Sequence, residues 1–116
     1  DLFRLKAVQC NPTEIIHKHG LGEYERVQQY VDNECLRLCE PMVPKDSNIL
    51  IQSAKINTII GSGELRYRTP YARRWYYMPA NFQEAPERGN YWFERMKQKY
   101  KNRILAGAQK IAEGRV

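Results

Sequence analysis

The chain has 116 residues, 42% of them apolar, with 19 Lys and Arg against 13 Asp and Glu for a net charge of +6. That length fits one domain with a modest core, and the apolar share argues against wholesale disorder. No apolar run of about eighteen residues occurs, so neither a spanning helix nor a membrane partner is expected.

In chain order, Asp1 to Val8 alternates loosely and reads as a short strand. The same residues lack a basic stretch followed by an apolar one, so they do not read as a signal peptide. Asn11-Pro12-Thr13 resembles a helix start, and Glu14 to His19 a short helix closed by Gly20. Glu23 to Glu40 is the clearest element. Tyr24, Val27, Val31, Cys35 and Leu38 recur at helical spacing, while Glu25, Arg26, Asp32, Asn33 and Arg37 fall largely off that stripe. Pro41 and Pro44 end it, because neither can extend the hydrogen-bond ladder.

Ile49 to Ile60 is rich in β-branched residues and predicts a strand, with Leu50, Ala54, Ile56 and Ile60 on one face. Gly61-Ser62-Gly63 predicts a turn. Glu64 to Thr69 alternates, with Leu65, Tyr67 and Thr69 on one face and Arg66 and Arg68 on the other. The two runs together predict a β-hairpin, stopped by Pro70. Tyr71 to Tyr77 fits a short helix or a bent strand. Met78 to Gly89, with Pro79 and Pro86, reads as an exposed loop. Asn90 is the expected N-cap of a long helix to Glu113, with Phe93, Met96, Tyr100, Ile104, Ala108 and Ile111 on its apolar stripe. The expected fold class is α+β: a small antiparallel β-sheet packed against two long amphipathic helices in a single domain, 1–116. The expected core comprises Tyr24, Val27, Val31, Leu38, Leu50, Ile56, Leu65, Tyr71, Trp92, Phe93, Met96 and Ile104.

Each functional motif has a plainer reading beside it. His17 and His19 sit in a short polar segment, and no Gly-flanked nucleophile accompanies them, so nothing points to catalysis. Cys35 and Cys39 share a helix face and could join Cys10, His17 or His19 in a zinc site. Familiar zinc spacings are missing, and buried thiols behave as small hydrophobes, so no metal and no other cofactor is expected. An odd number of cysteines also argues against a disulfide framework. Gly61-Ser62-Gly63 lacks the rest of a phosphate loop. Lys97, Lys99, Lys101, Arg103 and Lys110 read first as a solvated helix face.

Arg66 to Tyr77 is the most unusual stretch. It interleaves Arg66, Arg68, Arg73 and Arg74 with Tyr67, Tyr71, Trp75, Tyr76 and Tyr77. The rings could be core beneath solvated arginines. They could instead anchor a protein interface, where Tyr, Trp and Arg are enriched. Or they could stack on nucleic-acid bases while the arginines meet phosphates.

The order of motifs adds a resemblance. A helix runs into Met42-Val43-Pro44-Lys45-Asp46, then Ile49-Leu50 and Ser53. After the glycine turn come Thr69-Pro70-Tyr71-Ala72-Arg73, Tyr76-Tyr77, and Trp92-Phe93 opening a helix with Lys97. Over about residues 23–112 this resembles the minor capsid protein family of siphophages, related to small neck and tail-component proteins. Where that family usually has a Gly before the Leu, this chain has Ser47-Asn48, and Asn tolerates the left-handed turn. Residues 1–22 carry none of its motifs. The resemblance implies a virion protein without chemistry of its own. It implies a homo-oligomeric ring, dodecameric or hexameric, around the DNA channel at the head-to-tail junction. Portal, adaptor, head-closure or tail-terminator proteins would be its partners, and packaged DNA a non-specific contact. Expected subunit contacts are the Met78–Gly89 loop, the Arg66/Arg68 strand face, and Arg73, Arg74, Trp75, Tyr76, Tyr77, Pro79 and Phe82.

Overall fold

The computed structural model describes residues 2–6, 21–44, 48–79 and 84–113, with the side chains of 21–24 excepted. The expected helix at Glu14 to His19, the residues Cys10, His17, His19 and Phe82, and the Tyr24 side chain lie outside that set. The elements are β1 (Phe3–Lys6), α1 (Leu21–Cys39), a 3-10 turn (Glu40–Met42), α2 (Ile49–Asn57), β2 (Glu64–Tyr67), α3 (Ala72–Tyr77) and α4 (Trp92–Ala112). The fold is α+β, a two-stranded antiparallel sheet packed against helices.

Helices α1 and α4 form the main contact. Val27, Val31, Cys35 and Leu38 of α1 are buried, as are Phe93, Met96, Ile104 and Ala108 of α4, following the 3.6-residue stripe. Gly107 lets the helices approach: a Cβ there would meet Tyr30 Oη and lie 2.6 Å from its Cζ.

The expected hairpin is corrected. Ile49 to Asn57 is a helix, and β2 pairs with β1, in the register Phe3↔Tyr67, Arg4↔Arg66, Leu5↔Leu65 and Lys6↔Glu64. Gly61-Ser62-Gly63 is still a turn, but it joins a helix to a strand. The buried set of α2 explains the change: Leu50, Ile51, Ser53 and Ala54 recur at helical intervals. Ile56 points opposite Ala54 on that helix and is 78% exposed, so its assignment to the core is corrected too. Asn48 opens α2 in the left-handed region, φ 65°, the conformation its side chain tolerates.

Two hydroxyls of this region close one edge of the sheet. Thr58 Oγ1 accepts from the Arg66 amide at 3.0 Å, and Ser53 Oγ accepts from the Arg68 amide. Ser53 is nearly buried because it replaces a strand partner there.

The start of α4 also differs from expectation. Tyr91, not Asn90, occupies the N-cap, with φ 51° and no side-chain cap. Its amide donates to the Tyr76 carbonyl at 2.8 Å, which draws the chain onto α3. The Asn90 carbonyl accepts from Arg95 Nε at 2.9 Å.

Candidate functional site

Three groups of polar and aromatic side chains could carry function, and the structure separates them by how their hydrogen-bonding capacity is used.

The first centres on Asp32. Placed off the apolar stripe by its charge, it is in fact 0% exposed. One carboxylate oxygen accepts from the amides of Gly61 at 2.7 Å and Gly63 at 2.9 Å, and the other from Gln28 Nε2 at 2.9 Å. Gly61 and Gly63 both have positive φ, 101° and 85°, and their amides, on either side of Ser62, turn toward one acceptor. A buried carboxylate with three donors is a structural pin that fastens the turn to α1. The sequence signal was available: two glycines around a serine leave donors in need of an acceptor.

The second group fixes the junction between α1 and α4. Arg88 Nη1 donates to the carbonyls of Glu40 at 2.9 Å and Val43 at 2.7 Å. Arg95 reaches the carbonyls of Met42 at 3.2 Å and Glu87 at 2.8 Å. These guanidinium groups satisfy carbonyls left over where α1 and its 3-10 turn end. The C-terminal part of the expected contact loop is therefore bolted to the 3-10 turn that follows α1, while Met78 and Pro79 at its start are exposed.

The third group surrounds α3. Its base is a ring cluster. Tyr76 lies 4.7 Å from Trp92 and 5.2 Å from Phe3 between ring centroids, and Tyr67 lies 5.3 Å from Trp92. Trp92 Nε1 donates to Tyr67 Oη at 3.1 Å. Burial pushes the Tyr67 and Tyr76 phenols well above their ordinary value. Tyr76 is 3% exposed, so its expected place in an interface is corrected: it is the buried floor of this surface. Tyr71 is corrected in the opposite sense. It precedes α3, whose Ala72 and Tyr76 face the core, and is 61% exposed.

Above this floor, Leu2, Phe3, Thr69, Pro70, Tyr71, Arg73, Arg74 and Tyr77 line an open groove of about 670 Å³. Arg73 sits over the Phe3 ring at 5.5 Å, and Tyr77 is 49% exposed with its ring 5.8 Å from Tyr91. Tyr71, Arg74, Trp75, Met78 and Pro79 line a second hollow of about 370 Å³. The structure thus gathers Arg73, Arg74, Trp75, Tyr77 and Pro79 on one side of the molecule. Arg66 and Arg68 belong elsewhere. Arg66 Nε bonds Glu64 at 2.7 Å, and Arg68 lines a hollow with Ile49, Gln52 and Ile56.

Cys35 and Cys39 are buried core thiols, and burial pushes Cys39 well above its ordinary value. Among the described residues no group of three or more His, Cys, Asp or Glu could hold a metal ion, and no helix is long and apolar enough to cross a membrane. On α4, Lys97 pairs with Glu94 at 3.2 Å and Lys99 with Glu87 at 3.8 Å, while Lys101, Arg103 and Lys110 are exposed. No family model, curated protein or solved structure matches the chain.

Proposed function

We propose that the chain is a structural, non-enzymatic protein of a tailed bacteriophage virion, a neck subunit that assembles as a homo-oligomeric ring at the head-to-tail junction. The motif order from Val43-Pro44 through Pro70-Tyr71-Ala72-Arg73 to Trp92-Phe93 supports the phage assignment by resemblance. The observation that carries the mode of action is the α3 surface. Exposed Tyr71, Tyr77, Arg73 and Arg74 stand on a buried aromatic floor, the composition of an interface anchor. In a closed ring each subunit presents one surface and receives its neighbour on another, and the α3 groove is the presenting or receiving patch.

Particles assembled without the chain test this by electron microscopy. Tail-less heads beside free tails are the expected result, and complete particles would remove the proposal. A double variant, Arg73→Glu with Arg74→Glu, should fold yet fail to restore joining.

A second reading is a small basic nucleic-acid-binding protein. It is favoured by the same pair of exposed guanidinium groups beside exposed rings. Titrating DNA over a salt series separates the two. Phosphate neutralisation predicts a steep fall of log K with log salt. No affinity at low salt removes this reading.

A further inference from the structure

The two edges of the sheet are treated differently. On the β2 side, the outward amides of Arg66 and Arg68 are taken by Thr58 and Ser53 hydroxyls. Because the Arg66 amide points away from β1, Arg66 and Arg4 form a non-hydrogen-bonded pair. By the same alternation the main-chain groups of Arg4 and Lys6 point away from β2, out of the sheet. Among the described residues no strand pairs with that edge.

The side chains along it carry a consistent charge. Arg4 and Lys6 are exposed on the face opposite Phe3 and Leu5. Arg4 lies directly across from Arg66, whose guanidinium is already paired with Glu64, and Lys6 lies across from Glu64, so an acid added on the outer side would find its main counter-charge at Arg4. A second copy of β1 would be disfavoured there, because Arg4 and Lys6 would meet like charges. Basic residues on an edge strand thus discourage self-pairing and leave the edge open to a complementary strand.

We propose that the outer edge of β1 is a docking site for an extended acidic segment of a partner protein, added as a third strand. Acidic side chains two residues apart lie beside Arg4 and Lys6, and an apolar residue between them covers half-buried Leu5. Main-chain hydrogen bonds to Arg4 and Lys6 hold the segment, and the charges select it. This rests on β1 and β2 alone and stands whether or not the α3 surface forms a ring.

Amide hydrogen exchange on the full chain tests the idea, with a short peptide alternating glutamate and valine as probe. The peptide should slow exchange at Arg4 and Lys6 while leaving Phe3 and Leu5, already turned toward β2, unchanged. The lysine–valine counterpart should bind at least about tenfold more weakly, since like charges oppose it. An Arg4→Glu, Lys6→Glu double variant should reverse that preference, and backbone N-methylation of the glutamate peptide should abolish binding. Equal protection by both peptides, protection by neither, or slow exchange at Arg4 and Lys6 without peptide would each overturn the proposal.

Discussion

The Asp32-centred turn and the α3 surface are both rich in polar groups, and they use them in opposite ways. At the turn, one buried carboxylate takes two glycine amides and a glutamine, so its charge is spent inside the fold. At α3 the buried layer is aromatic, held by ring packing and the Trp92–Tyr67 bond, while Arg73 and Arg74 lie exposed above it. A charge the fold consumes is poor evidence of function. A charge displayed on a packed apolar base is better evidence, because the buried rings beneath it hold it in place for a partner.

The largest effect should come from the aromatic floor. Trp92→Ala removes a fully buried indole and leaves Tyr67 Oη without its donor, and should cost about 3–5 kcal/mol in urea unfolding. Asp32→Ala should follow, at about 2–4 kcal/mol, because it strands the Gly61 and Gly63 amides. A loss below about 0.5 kcal/mol would show that water replaces the carboxylate and would dissolve the contrast between the two regions.

Gly107 offers a sharper, smaller test of the helix contact. Gly107→Ala should destabilise by about 1 kcal/mol despite alanine's better helix propensity, because the methyl meets the Tyr30 ring. In a Tyr30→Ala background the same change should stabilise instead.

Alkaline unfolding distinguishes the regions by pH. Burial raises the folded-state values of Tyr67, Tyr76 and Cys39, so the native state holds protons that the unfolded chain gives up. Their contribution is complete below the ordinary values of 9.0 for Cys39 and 10.0 for the tyrosines, and is lost progressively above them. The urea midpoint should therefore fall as pH rises past that window. A flat midpoint up to the onset of general alkaline denaturation would contradict it. The smallest change in stability, within about 0.5 kcal/mol, is expected for Arg73→Ala with Arg74→Ala. Assembly or binding should nevertheless fail. A stability loss as large as that of Asp32→Ala would mean that these arginines serve the fold after all.

The long helices were legible because each carries one uninterrupted apolar stripe, and β2 because Leu65 and Tyr67 alternate with Glu64 and Arg66. Residues 49–60 misled because Ile49, Ile51, Ile56, Ile59 and Ile60 have strand-like side chains. The helical spacing of Leu50, Ile51, Ser53 and Ala54 was the better guide, and tertiary burial decided between them. The pairing of β1 with β2 spans about half of the chain, and no local pattern encodes it. The stretch around α3 stands out by its composition. Which of its rings lie inside depended on a helical turn that composition leaves open: Tyr76 turns in, while Tyr71 and Tyr77 turn out. Arg88 and Arg95 escaped notice because their acceptors are main-chain carbonyls, which have no signature in side-chain type.

The Asp32 pin has a use in tracing ancestry. Its chemistry couples two separated pairs, Gln28 with Asp32 and Gly61 with Gly63, and the acid is of little use without the two glycines that turn their amides toward it. A change at Asp32 or at either glycine alone would leave a buried polar group without its partner, so these positions are expected to change together. In chains whose overall identity has faded, an acid four residues after a glutamine in a long helix, matched to a Gly-x-Gly ahead of a short alternating strand, is a pattern by which common descent can be sought.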